Sequence, residues 1–140
     1  MKILLAVDGS HVTKRMLSYI AAHDELLGPR HEYTILTVIP LVPAYAAEFL
    51  KEKTFDGHYA EQSELVFHPI RSFAHQQGWQ VRMVHESGQA ADVIASLAER
   101  EHFDLVVMGT HGHSSLANVV LGSVSTGVLA RCKTPVLLIR

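Results

Sequence analysis

The chain has one cysteine, Cys132, which rules out an internal disulfide and fits a reducing compartment. It also lacks an excess of either charge. Twelve Lys and Arg against fourteen Asp and Glu leave a formal charge of −2, and no basic cluster stands out. Nothing in that balance provides a general field for nucleic acid. No apolar run approaches the length of a membrane span. Met1 leads directly into an apolar segment with no charged-then-apolar leader, so a cytoplasmic protein is expected. There is no internal repeat, low-complexity tract or linker. At 140 residues, 48% apolar and 19% charged, the composition suits one globular domain over residues 1–140 with a core that needs no staples.

Familiar catalytic signatures are missing too. There is no G-x-S-x-G, no G-x-x-x-x-G-K-[ST] and no G-x-G-x-x-G. Cys132 has no evident activating partner and reads as a small packed side chain on the last helix. The ten histidines match neither H-E-x-x-H nor a closed zinc set, and most read as solvated surface. A metal reading would require His11 to converge with His111 and His113.

What the chain does contain is an alternation of apolar runs and helical periodicities. Lys2 to Val7 reads as a strand buried on both faces, which points to a parallel sheet. Asp8-Gly9-Ser10 ends it, and Ser10 is placed to cap a helix expected over about Val12 to Leu27, stopped by Gly28-Pro29. Tyr33 to Ile39 is rich in β-branched residues and forms a second strand, ended by Pro40 and Pro43. Ala44 to Gln77 is helix-forming but interrupted, with a break expected over Lys53 to Gly57 and a kink or new start at Pro69. Trp79 to His85 is a third strand, and Gln89 to Glu101 a helix with Ala90, Val93, Ile94, Leu97 and Ala98 on one face. Leu105 to Met108, a helix from Gly122-Ser123 to about Arg131, and Pro135 to Ile139 complete the series. Alternation of this kind implies right-handed crossovers and an open, doubly wound sheet of five parallel strands with helices on both faces.

The stretch from Asp104 to Arg140 organises the rest. A short strand stops at Gly109, and Gly109 and Gly112 allow positive φ and close backbone approach. Nine residues after Gly112, Gly122-Ser123 opens a helix. Unpaired N–H groups and the positive helix end favour a phosphate there. The spacing Gly109-x2-Gly112-x9-Gly122-Ser123 between two apolar strands resembles the nucleotide loop of the universal stress protein family, in its ATP-binding branch. The resemblance runs from Ile3-Leu4-Leu5-Ala6-Val7-Asp8-Gly9-Ser10 to Pro135-Val136-Leu137-Leu138-Ile139.

That resemblance implies strand order 3-2-1-4-5, with the switch point between the first and fourth strands at Asp8 and Gly109. Ligands of open α/β sheets bind in such a crevice. It assigns the ATP site to Val7, Asp8, Val38, Met108, Gly109, Gly112, His113, Gly122, Ser123, Val124 and Ser125. Within it, the Ser123 hydroxyl and the N–H groups of Ser123, Val124 and Ser125 are expected to donate to phosphate, and Val38 to offer backbone groups to the adenine. Family members commonly carry Arg or Lys at the position of His113, and often another basic residue near Ala117. This loop instead has His111 and His113 and no permanent cation, and an imidazole attracts phosphate less than a guanidinium does. Any Mg²⁺ or Mn²⁺ is expected to be held mainly by the phosphates. No nucleophile or base for the γ-phosphate stands out, so hydrolysis is expected to be slow and incidental.

The last strand is short, apolar and followed only by Arg140, a template for edge pairing. With the family's habit it implies a homodimer through that strand, involving Val136 and Leu138. Two other readings compete. A phosphorylated receiver domain needs a carboxylate cluster, whereas the first strand supplies Asp8 alone and Lys133 has no matching phospho-acceptor. A family member acting through protein contacts without nucleotide is favoured by the missing loop cation and opposed by the intact glycine spacing.

Overall fold

A computed structural model of the chain describes residues 1–47, 55–113 and 120–140. Five strands, β1 (Lys2–Ala6), β2 (Glu32–Ile39), β3 (Gln80–Ser87), β4 (Leu105–Gly109) and β5 (Val136–Ile139), form one sheet in the order β3-β2-β1-β4-β5. Every pairing is parallel, and the register sets Ile3 beside Tyr33 and Leu105, and Val107 beside Leu137. The helices are α1 (His11–Ala22), α2 (Asp24–Leu27), α3 (Ala44–Ala47), α4 (Phe55–Gln76), α5 (Ala90–Arg100) and α6 (Ser123–Arg131). None among the described residues is long and apolar enough to cross a membrane.

The sheet is covered on both faces, so its central strands are apolar throughout instead of alternating. Ile3 and Leu5 of β1 join Met16, Leu17 and Ile20 of α1 and Phe67, Ile70 and Ala74 of α4 in one core cluster. Leu4, on the opposite face, joins Ile94, Leu97 and Ala98 of α5 and Val128 of α6 in the other. The two layers are the physical consequence of side chains pointing alternately from one strand.

Several local expectations are corrected. The helix expected over Val12 to Leu27 divides at His23, whose ring takes the Tyr19 carbonyl at 2.8 Å and stacks on the Tyr19 ring at 4.0 Å. Ser10 occupies the cap position of α1, but its hydroxyl makes no capping bond and, though buried, finds no partner among the described residues. Its N–H instead donates to Asp8 Oδ1 at 2.9 Å. Pro69 lies inside a continuous α4, so the new helix start that was one expectation for it does not occur. The carbonyl that loses its helical partner belongs to Leu65, four residues earlier, on a solvent-facing turn where water can replace the missing N–H. The helix also runs through Phe55, Asp56 and Gly57, where a break was expected; Lys53 and Thr54 lie outside the described residues.

Tyr33 locks the amino-terminal end of the sheet to α2. It is 2% exposed, stacks on Trp79 at 5.1 Å, and its hydroxyl donates to the carbonyls of Leu27 and, at 3.2 Å, Gly28. Burial pushes its phenol up from 10.0 to about 12. Because the folded value lies above the unfolded one, this contribution is complete below about pH 10 and is lost as pH rises through about 12. Tyr33→Phe is therefore expected to cost roughly 1–2 kcal/mol at neutral pH. The gap between the two proteins in chemical denaturation is expected to narrow above pH 10. A gap constant to pH 12 would contradict the assignment.

Candidate functional site

A cavity of about 820 Å³ opens at the carboxyl ends of β1, β2 and β4. That lies within the roughly 300–1,000 Å³ typical of small-molecule sites. Val7, Asp8, Val38, Met108, Gly109, Gly112, His113, Gly122, Ser123, Val124 and Ser125 all line it, so the structure brings together the residues that the resemblance assigned to the nucleotide site. It adds an apolar set that sequence reasoning missed, including Leu36, Pro40, Ala90 and Ile94, together with Thr13, and it also places the loop residue His111 in the lining. Apolar side chains come from the strand ends and α5, and polar groups from the 109–113 turn and the start of α6.

The polar side is built by fixing α6 onto the end of β4. Gly122 N–H donates to the Thr110 carbonyl at 2.7 Å, and Ser125 Oγ donates to the carbonyls of Gly109 and Thr110 at 3.0 and 2.9 Å. Ser125 is 1% exposed, so its hydroxyl acts as a tether. The first intrahelical bond runs from Thr126 N–H to Gly122 O at 3.0 Å. The N–H groups of Ser123, Val124 and Ser125 precede that bond and have no intrahelical acceptor. Three donors at a positive helix end therefore meet the cavity.

The glycines serve this geometry by their size, not by the positive φ expected of Gly109 and Gly112. Neither has φ in that range, and Gly122 has φ −71°. A Cβ on Gly109 would overlap the Val12 side chain, one on Gly112 would lie 2.7 Å from Asp8 Oδ2, and one on Gly122 would lie 3.0 Å from the Thr110 carbonyl oxygen. The turn, α1 and α6 approach too closely for side chains at these points.

Asp8 stands opposite. Its Oδ1 accepts from Ser10 N–H at 2.9 Å and from Thr13 Oγ1 at 3.0 Å. His113 Nε2 lies 2.8 Å from the Asp8 carbonyl oxygen; since a carbonyl only accepts, that nitrogen carries the proton. His111 Nδ1 lies 3.0 Å from Thr110 Oγ1. The described lining contains one carboxylate, two imidazoles and no Lys or Arg. His11 does not line the cavity, and no group of three or more metal-binding side chains exists among the described residues. The three-histidine convergence is thereby excluded within them. The His113 and His111 rings are directed instead to Asp8 and Thr110.

A doubly wound sheet with a cavity at its β1/β4 switch point defines the class. Over residues 1–140 the sequence matches the universal stress protein family, and the chain belongs to that family. It is 32% identical over 149 residues to the universal stress protein Rv1636 of Mycobacterium tuberculosis, covering 98% of this chain and 94% of that one. The solved structure of MJ0577 from Methanocaldococcus jannaschii superposes with a TM-score of 0.82 at 28% identity, covering 99% of this chain and 94% of that one. A universal stress protein solved in complex with cAMP shares the fold, with a TM-score of 0.67 at 23% identity, covering 100% of this chain and 96% of that chain.

Proposed function

We propose that this universal stress protein binds ATP or a closely related adenine nucleotide in the β1/β4 cavity and acts as a stress-response or signalling module in the cytoplasm. The observation that carries the reading is the trio of N–H groups at Ser123, Val124 and Ser125, held against the cavity by the bonds from Gly122 and Ser125 to the end of β4. Donors fixed in this way bind a phosphate without reorganising. The apolar lining from Leu36, Val38, Pro40, Ala90, Ile94 and Met108 suits the faces of a purine. The relative in complex with cAMP holds an adenine nucleotide on the same fold. A binding role fits this lining better than turnover: Asp8 Oδ1 already has two donors, and His113 is bonded to a main-chain carbonyl.

The lining has no Lys or Arg among the described residues to offset a triphosphate, so a divalent cation carried by the phosphates supplies that charge. Calorimetry is the test. ATP with Mg²⁺ is expected to bind at least about ten-fold more tightly than ATP in chelator, a difference of roughly 1.4 kcal/mol, while AMP responds little. Absence of binding by ATP, AMP and cAMP alike would favour a family member working through protein contacts alone. The same proposal includes a homodimer formed through β5, with Val136 and Leu138 at its centre.

A further inference from the structure

Building on the nucleotide reading, we propose that Thr13 is the positioning residue that turns the Asp8 carboxylate into a one-sided acceptor aimed into the cavity. Thr13 lies on the first turn of α1, is 5% exposed and lines the cavity. Its single hydroxyl works in both directions: it accepts from the Asp8 N–H at 3.2 Å and donates to Asp8 Oδ1 at 3.0 Å. With Ser10 N–H at 2.9 Å on the same oxygen, Oδ1 has two donors. The other oxygen accepts no bond among the described residues and faces Gly112, where a Cβ would lie only 2.7 Å away. The clamp thus fixes which oxygen is bound internally and which is free.

A free carboxylate oxygen at that place recognises a hydrogen-bond donor. With an adenine nucleotide, the donor is a group on the nucleotide itself, a sugar hydroxyl or the adenine amino group, or water on a phosphate-bound cation. A carboxylate free to rotate would present either oxygen in several orientations and lose part of its energy to ordering. Losing the Thr13 hydroxyl would also remove a hydrogen bond to a charged group, and such bonds contribute more than neutral ones. The competing role for Thr13 is purely architectural, tying α1 to the end of β1. That role predicts a loss of stability but no coupling to Asp8 in binding.

The test measures ATP affinity for Thr13→Val, Thr13→Ser, Asp8→Asn and Thr13→Val/Asp8→Asn. Valine keeps the shape of threonine and removes the hydroxyl; serine restores it. The expected result is about ten-fold weaker binding for Thr13→Val, affinity near that of the parent for Thr13→Ser, and no added loss from Thr13→Val once Asp8 is Asn. Repeating the comparison without Mg²⁺ separates the two sources, since the penalty persists for a donor on the nucleotide and vanishes for cation-bound water. Parent-like affinity in Thr13→Val, with Asp8→Asn impaired, overturns the positioning role and leaves the nucleotide reading intact. Equal losses from Thr13→Val in both backgrounds also overturn it. If the parent protein binds no adenine nucleotide, the nucleotide reading falls and this inference with it. Should Thr13→Val fail to fold, Thr13→Ala against Thr13→Ser in the same two backgrounds separates the two roles in the same way.

Discussion

Gly122→Val is expected to abolish nucleotide binding, with affinity falling at least about 100-fold, while the protein remains folded. Gly122 is the cap residue of α6, and a Cβ there would lie 3.0 Å from the Thr110 carbonyl oxygen and 3.5 Å from the His111 Cα. The branched side chain has to wedge between the start of α6 and the turn that precedes it. That displacement breaks the 2.7 Å bond from Gly122 N–H to Thr110 and moves the N–H groups of Ser123, Val124 and Ser125 off the phosphate position. Bonds to charged groups contribute roughly 1.5–3 kcal/mol each, so misplacing two of them accounts for the expected loss. The helix itself is secured elsewhere, by Val128 in the core and by the Arg131–Asp92 ion pair at 2.7 Å. A poorer cap costs about 1 kcal/mol. Calorimetry and thermal denaturation on the same sample separate the two effects. Parent-like affinity in the folded variant would remove α6 from the binding site.

Leu138→Lys is expected to convert a dimer into a monomer at micromolar concentration. β5 is an edge strand. The carbonyls of Pro135 and Ile139 accept from Val106 and Thr110, so the backbone groups of these positions face β4. By the alternation of a strand, Val136 and Leu138 direct their N–H and C=O groups to the open edge. Their side chains are half-buried against the α5/α6 core, leaving the remainder for a second copy to cover. Two copies related by a twofold axis place the same residues on both sides, so one substitution introduces two opposing ammonium groups. Ultracentrifugation is expected to give twice the 15.5 kDa chain mass for the parent and 15.5 kDa for the variant. A monomeric parent, or a variant that remains dimeric, contradicts pairing through β5.

The sheet was legible because four apolar runs and one alternating segment, Trp79 to His85, are separated by helical periodicities. Burial on both faces demands the apolar pattern of the central strands, and the edge position of β3 allows its alternation. The residues of the cavity were legible for another reason. Gly109, Gly112 and Gly122-Ser123 have the spacing of the family's nucleotide loop, whose resemblance assigned the other site residues, and Asp8 ends the strand next to β4. What the sequence did not reveal depends on how the folded elements meet. Thr13 looks like any threonine in a first helical turn until Asp8 is placed beside it. Leu36, Ala90 and Ile94 have the periodicity of ordinary core, and only the sheet's opening at the switch point makes them cavity wall. Pro69 does not end α4 because the carbonyl it frees lies on an open turn, where Leu65 is 74% exposed and water can take the missing bond. The glycines of the loop were found for their position, but the positive φ expected of Gly109 and Gly112 does not occur, and the crowding by Val12, Asp8 and Thr110 that excludes side chains is invisible before folding.

The central claim is that an adenine nucleotide occupies the β1/β4 cavity with its phosphate on the start of α6. Titration of the ¹⁵N-labelled protein with ATP and Mg²⁺, followed by amide chemical shifts, tests it most directly. The expected result is that the largest changes fall on Ser123, Val124 and Ser125, with smaller ones at Asp8, Gly109 and Gly112, and little change at Trp79 or Gln80 at the far end of the sheet. Shifts absent at Ser123 to Ser125, or concentrated away from the cavity, would contradict it.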